Sequence, residues 1–364
     1  MKIVYIVPEM SYPGGIGRVT AQKANYLANK GHEVSIITEI QGNDPFFYKM
    51  NNKIQHFDIG LERGKNKIIK LFIRKKRIKA LLDRLSPNIV IYTYPIIPIK
   101  TKTPYKGILE CHFNHDTYIL KAKAFGTSII KAKLQTKYQE YVASKFRVLV
   151  VLTEQDKDLW KNSGISNTEV IPNMNSFETN ETSTLDLKNI IAVGRLDAQK
   201  SFDRLIKILA KVIPNHKDWK LNIYGQGPDK EKYLNLINQL NLTENIIIHE
   251  PTKDIKAKYL ESSILCFTST FEGWGLVLTE AMTCGLPVVS YDTLCGPKDI
   301  IQNSFNGFLI PNGNEQEYIK SLIFLMDNKE QRKLIGKNAK ESVDKYNVDS
   351  VMTKWENLFN HLQY

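Results

Sequence analysis

Short apolar runs alternate with longer segments of helical period along nearly the whole chain, and the alternation occurs twice. In the first half, Ile3–Val7, Glu33–Thr38, Ile89–Tyr92 and Val148–Leu152 read as buried strands. Helical segments lie near Arg18–Lys30, Ile68–Leu85 and Ile129–Ser144. A polar stretch from Asn175 to Lys188 carries no apolar period and reads as a linker. The second half repeats the pattern, with strands at Ile190–Val193, Lys220–Tyr224, Ile246–His249, Ile264–Thr268 and Val288–Tyr291. Between them lie helices at Phe202–Val212, Lys230–Leu240 and Ile255–Ser262. Strand–helix alternation of this kind builds βαβ units and a parallel sheet, so two α/β domains are expected, over residues 1–172 and 173–345. A length of 364 residues allows two separate cores.

Within the second half one string stands out. Phe271-Glu272-Gly273-Trp274-Gly275-Leu276 reads as a tight loop, Leu276 to Cys284 as a helix, and Gly285-Leu286-Pro287 as its stop. Glu272 then precedes a helix N-terminus and Glu280 lies a little over one turn inside. Unpaired N–H groups and the dipole favour an anion at such an end. A nearby carboxylate can accept both hydrogen bonds of a vicinal diol. The same punctuation is ordinary in α/β proteins, and Glu280 as a solvated helix carboxylate is the competing reading.

The string Phe271–Leu276, followed by Glu280-Ala281-Met282 and Cys284-Gly285-Leu286-Pro287-Val288-Val289, resembles the Glu-x7-Glu signature of the family 4 retaining glycosyltransferases. That resemblance implies a GT-B fold: two Rossmann-like domains with parallel sheets facing across a cleft, the last segment, 346–364, packing back on the N-terminal domain. It implies a nucleotide-sugar donor as substrate, with UDP the commoner base, and a saccharide or lipid-linked saccharide acceptor. Cell-surface polysaccharide biosynthesis (capsule, O-antigen or exopolysaccharide) is the setting expected.

Other strings take roles from the same resemblance. Val193-Gly194-Arg195-Leu196-Asp197-Ala198-Gln199-Lys200-Ser201 places Arg195 and Lys200 in one loop before a helix, where two cations can neutralise a diphosphate. Taken alone these are also unremarkable surface cations. The string is similar to the family's Gly-Arg-Leu…Lys-Gly element, with Ser201 where glycine is commoner. Pro13-Gly14-Gly15-Ile16-Gly17 follows the first strand and lets backbone N–H groups approach a phosphate. Gly14 and Gly15 match the family's diphosphate loop. A dinucleotide fingerprint beginning at Gly15 and Gly17 fails at Thr20, although Glu39 stands where a ribose-binding acid would. His112, in Glu110-Cys111-His112-Phe113-Asn114-His115-Asp116, matches the family's histidine near the sugar better than His115 does.

By the same correspondence Glu280 is expected on the ribose hydroxyls. Glu272 and the backbone N–H groups of Gly273, Trp274, Gly275 and Leu276 are expected on the sugar, and Arg195, Lys200, Gly14 and Gly15 on the diphosphate. His112, Arg195, Lys200 and Glu272 are the candidate catalytic residues. No unpaired carboxylate is an obvious covalent nucleophile, so double displacement is not supported; the resemblance implies retention by a front-face route in which the leaving diphosphate helps deprotonate the acceptor. Cys295-Gly296-Pro297-Lys298-Asp299 reads as a turn, and is similar to a subset of the family acting on cell-envelope polymers.

Asp156-Lys157-Asp158 has an Asp-x-Asp form, but residues two apart on a helix do not share a face. With no other metal spacing, neither a metal nor another cofactor is expected. Four cysteines without Cys-x-x-Cys pairing fit reduced thiols in the cytosol. No apolar run reaches the length of a membrane span, and the N-terminus is too short for a signal peptide.

The net charge of +12 sits wholly in the first half, where residues 1–180 hold 28 Lys/Arg against 15 Asp/Glu. Residues 61–84 hold ten basic and two acidic residues interleaved with apolar ones. This reads as a basic amphipathic helix suited to an anionic membrane surface, with Arg74, Lys75, Lys76 and Arg77 as its patch. A helix packing its apolar stripe on a core, and a nucleic-acid partner, are the competing readings. The expected location is cytoplasmic, peripheral on the inner face of the cell membrane. A nucleotide-binding oxidoreductase and a non-catalytic sugar-binding module are the alternatives to a transferase.

Overall fold

The computed structural model describes residues 1–61 and 67–363. In chain order the elements begin β1 (Lys2–Val7), α1 (Gly15–Asn29), β2 (Glu33–Thr38), β3 (Gln55–Asp58), α2 (Lys67–Leu85), β4 (Ile89–Tyr92) and β5 (Lys106–Glu110). They continue α3 (Thr117–Ala124), α4 (Ile129–Ala143), β6 (Val148–Val151), α5 (Glu154–Asn162) and β7 (Thr168–Val170). The second series is β8 (Asn189–Val193), α6 (Phe202–Val212), β9 (Lys220–Tyr224), α7 (Lys230–Gln239), β10 (Ile246–His249), α8 (Ile255–Leu260) and β11 (Ile264–Phe267). It closes with α9 (Leu276–Thr283), β12 (Val288–Tyr291), α10 (Pro297–Ile300), β13 (Gly307–Ile310), α11 (Glu315–Asp327), α12 (Lys329–Val343) and α13 (Val348–Gln363).

Two compact units result. The first comprises Met1–His115, Lys133–Met174 and Val348–Tyr364, and the second Asp116–Ala132 and Asn175–Asn347. The first holds a parallel sheet in the order β3-β2-β1-β4-β5-β6-β7, the second a parallel sheet in the order β10-β9-β8-β11-β12-β13. Compared with the expected division at 172/173, the break falls at 174/175, and residues 116–132 group with the second unit. The weakly patterned strands β3 and β13 and the helix α3 went unread in the sequence.

Strand β1 shows why both faces of the first sheet are covered. Ile3, Tyr5 and Val7 enter one core with α1 and α13, while Val4 and Ile6 enter another with α2, α4 and α5. Helix α13 contributes Val351, Trp355, Leu358 and Leu362, spaced to share one helical face. Residues 175–188, expected as a linker, form neither helix nor strand but are pinned to the second unit. Asn175 N donates to Tyr346 O at 2.8 Å, and Arg332 donates to Leu185 O through Nε at 3.1 Å and Nη2 at 3.0 Å. A polar composition here means backbone bonding rather than freedom.

Candidate functional site

In the second unit the loop after β8 is organised by Asp197, which is buried. Its Oδ1 accepts from Gln199 N at 3.0 Å and Lys200 N at 3.2 Å, and its Oδ2 accepts from Arg195 Nε. Three donors converging on one carboxylate fix the loop and leave the Arg195 side chain largely exposed. Sequence reasoning assigned no role to Asp197. Beneath the loop, Cβ atoms at Gly225 and Gly227 would lie 1.9 Å from Gly194 O and 2.4 Å from Leu196 O. The turn after β9 therefore presses backbone against backbone, which only glycine permits at these two positions.

Lys200 lies back along the loop. A Cβ at Gly194 would stand 3.0 Å from Lys200 Cε, so the glycine gives the lysine stem its channel. Its Nζ donates to Glu272 Oε1 at 2.6 Å and sits 5.1 Å from the Phe267 ring centroid. The two loops are stitched by Thr270 N to Gln199 O at 2.8 Å and Gln199 Nε2 to Phe271 O at 3.0 Å. Ser201 adopts φ +49°, the left-handed region, which explains why glycine is commoner there; its hydroxyl donates to Ala198 O at 2.8 Å.

Glu280 is buried on α9. Ser176 Oγ donates to its Oε1 at 2.5 Å and Tyr259 Oη to its Oε2 at 2.8 Å. A carboxylate oxygen can accept from more than one donor. The solvated-carboxylate reading is thus set aside, and Ser176 and Tyr259 join the site although no sequence signal marked them. Gly275 caps α9 at φ +95°. Trp274 turns its ring inward, buried and edge-on to Tyr346 at 4.9 Å, so only its backbone is available to a ligand. The Cys295-Gly296-Pro297 string is a turn whose Gly296 backs this loop; a Cβ there would meet Trp274 O at 2.2 Å. On α3, Lys121 also belongs to this unit; burial and the Arg195 guanidinium hold its ammonium below the ordinary lysine pKa, Asp197 opposing.

The remaining predicted residues lie in the first unit. Gly14 is the N-cap of α1, which begins at Gly15 rather than Arg18, and both glycines are exposed. The His112 side chain is buried, with Nε2 3.8 Å from Glu110 Oε1. Glu110 pairs with the buried Lys23 ammonium, itself 4.4 Å from the Trp355 ring centroid. Burial opposes ionisation of Glu110, but Lys23 and His112 hold its carboxyl below the usual range. Burial pushes His112 down to about 4, Glu110 opposing, so the ring is neutral at physiological pH. His115 is structural: its Nε2 meets Glu140 Oε1 at 3.0 Å and its ring packs edge-on to Trp160.

Glu39 is taken up inside the fold. Arg74 Nη2 donates to its Oε2 at 2.9 Å and Tyr94 Oη donates to its Oε1. This removes the ribose-binding acid a dinucleotide site needs. It also corrects the basic patch. Arg74 is bound to Glu39, and Arg77 donates to Ile59 O and Gly60 O, because the carbonyls and carboxylate at the sheet edge need donors. Lys75 and Lys76 alone of the four stand fully available at the surface. Residues 62–66 of the proposed basic stretch lie outside the described residues. Asp156 is buried, accepting from His115 N at 2.7 Å, while Asp158 is exposed, so the Asp-x-Asp pair is split as expected. Among the described residues no cluster of His, Cys, Asp or Glu has metal-binding geometry, and no helix is long and apolar enough to cross a membrane.

Residues 13–174 match the model of Glycosyltransferase Family 4, and residues 176–342 that of Glycosyl transferases group 1. An uncharacterized glycosyltransferase of Haemophilus influenzae is 28% identical over 361 residues, 98% of this chain and 99% of that one. An alpha-1,4-N-acetyl-D-galactosaminyltransferase of Campylobacter jejuni, whose named acceptor ends in PP-undecaprenol, is 25% identical over 369 residues, 98% of each chain. A TarM variant from S. aureus, solved with fondaparinux, alpha-GlcNAc-glycerol and UDP, superposes with a TM-score of 0.80 at 19% identity, covering 99% of each chain. With both halves matched and the fold shared, the chain belongs to the family 4, group 1 glycosyltransferases and has the GT-B fold.

Proposed function

We propose that the protein transfers a hexosyl or N-acetylhexosaminyl group, with retention and without a metal, from a UDP-sugar to a saccharide or lipid-linked saccharide during cell-surface polysaccharide assembly. The observation that carries this is that one unit holds Arg195 braced by Asp197, the Lys200–Glu272 pair tying the loop after β8 to the loop before α9, and the buried Glu280 carboxylate on α9. Arg195 and Lys200 hold the diphosphate, whose charge grows as the glycosidic bond breaks. Lysine has three donors, so Lys200 can keep Glu272 and still reach a phosphate oxygen. Glu280 accepts from the ribose hydroxyls, Ser176 and Tyr259 fixing its orientation. Glu272 and the N–H groups of residues 273–276 read the sugar.

The first unit supplies Gly14 and Gly15 to the diphosphate and a neutral His112 as a hydrogen-bonding, orienting group. UDP in the TarM complex supports the choice of base, and the PP-undecaprenol acceptor of the Campylobacter enzyme supports a lipid-linked acceptor. In the front-face route that the family resemblance implies, the leaving diphosphate takes the acceptor proton. The test is a thermal-shift screen against UDP-, GDP- and dTDP-sugars. A UDP-sugar stabilises by mass action, and Glu280→Gln abolishes the shift. A shift with NAD(H) alone contradicts the reading.

A further inference from the structure

Helix α4 is amphipathic in an unusual sense, because its apolar stripe faces outward. Ile130, Leu134, Tyr138 and Tyr141 are 75%, 67%, 50% and 52% exposed. At 100° per residue they fall within a sector about 80° wide. Lysines flank it on both sides, Lys131 on one and Lys133 and Lys137 on the other, all exposed. The opposite face, through Ala132, Thr136, Val142 and Ala143, is buried. The helix is therefore already packed on its sheet, and the outward stripe is surplus to the core.

A second surface of the same kind lies on α2, where Ile69, Leu71 and Phe72 are 51%, 57% and 69% exposed beside Lys75 and Lys76. Both helices cover the same face of the first sheet, since Ile78 and Leu82 of α2 share a core with Val142 and Ala143 of α4. Helices between parallel strands run antiparallel to them, so both N-terminal ends lie at the edge where β1 delivers Gly14 and β5 delivers His112. Apolar residues bordered by lysines, with no acidic residue on the exposed face of α4, complement an anionic lipid surface: rings and aliphatic chains enter the acyl boundary and ammonium groups meet headgroups.

We propose that α4, assisted by the first turns of α2, is the membrane-docking surface of this protein, seating on anionic lipid the edge of the first sheet where Gly14 and His112 lie. This rests on the reading that the acceptor is lipid-linked. It moves the docking residues away from Arg74 and Arg77, which the fold consumes internally.

The test uses the full chain and sedimentation with phosphatidylcholine vesicles, with and without phosphatidylglycerol. All four tryptophans are buried, so Tyr138→Trp adds a solvent-exposed reporter. The wild type co-sediments with the anionic vesicles, and the added tryptophan shifts to the blue and is quenched by brominated acyl chains. The combined variant Ile130→Glu, Leu134→Glu, Tyr138→Glu changes only exposed side chains and weakens vesicle binding by about tenfold or more, roughly 1.4 kcal/mol. Its thermal shift with the UDP-sugar stays as in wild type. Wild-type protein that ignores anionic vesicles, or a triple variant that binds them equally, overturns the proposal. So does a wild-type dimer in light scattering that the triple variant dissociates, since the stripe then belongs to a second copy. Vesicle binding without any nucleotide-sugar response leaves this surface standing and removes the functional reading instead.

Discussion

Lys200 Nζ and Glu272 Oε1 lie 2.6 Å apart, linking the loop after β8 to the loop before α9. Both side chains are mostly buried, so removing the ammonium strands a carboxylate. Lys200→Met should lower kcat/KM for the donor by about 100-fold, roughly 2.7 kcal/mol, and lower Tm by several degrees. Adding Glu272→Gln should restore most of the Tm but none of the activity, which a double-mutant cycle in thermal melts and donor kinetics checks. Strict additivity of the Tm changes would show that the pair is not coupled.

Ser201 sits at φ +49°. Ser201→Gly should leave stability within about 1 kcal/mol, since relief of the left-handed backbone offsets the lost hydroxyl bond and gained chain entropy. Ser201→Val, β-branched, should cost about 1–2 kcal/mol or more. Urea unfolding of the two variants measures the difference, and equal stability would remove the strain argument.

Tyr259 and Ser176 hold Glu280 from opposite oxygens. If they orient a ribose acceptor, Tyr259→Phe should raise the donor Kd about 10-fold or more, the cost of one hydrogen bond to a charged group. Its kcat should change little, because ribose contacts are uniform between ground and transition states. Calorimetric titration with a UDP-sugar checks this; an unchanged Kd separates Tyr259 from the donor.

His112 titrates in the folded chain at about 4, lowered by burial, against about 6.5 unfolded. The unfolded state therefore binds the extra proton first. Stability is unaffected by this group above about pH 6.5, falls as the pH drops toward 4, and loses about 3 kcal/mol over that window. His112→Gln should flatten part of the stability decline between pH 7 and pH 5 in urea titrations. The kcat/KM of the wild type should show no inflection from this ring between about pH 5.5 and 8.

The alternation of strands and helices was legible because parallel strands buried on both faces must be apolar, as Ile3–Val7 and Ile264–Phe267 are. Glu280 was singled out by its spacing to Glu272 within one loop and helix. Its partners were not, since Ser176 lies 104 residues away and carries no local pattern. The outward stripe of α4 was hidden for a different reason. Helical apolar period is the same whether a face meets a core or a membrane, and only the packed opposite face decides between them. Arg74 and Arg77 misled for the converse reason: charge in sequence does not reveal a buried carboxylate such as Glu39 waiting for it.

Glycosyl transfer from a nucleotide sugar is tested most directly by a 31P NMR time course of protein, UDP-sugar and lipid-linked acceptor. We expect the paired sugar-diphosphate resonances to give way to those of UDP with the wild type, and to persist with Lys200→Met and Glu280→Gln at unchanged fold. Persistence with the wild type across the acceptor panel, or equal turnover by both variants, would contradict the account.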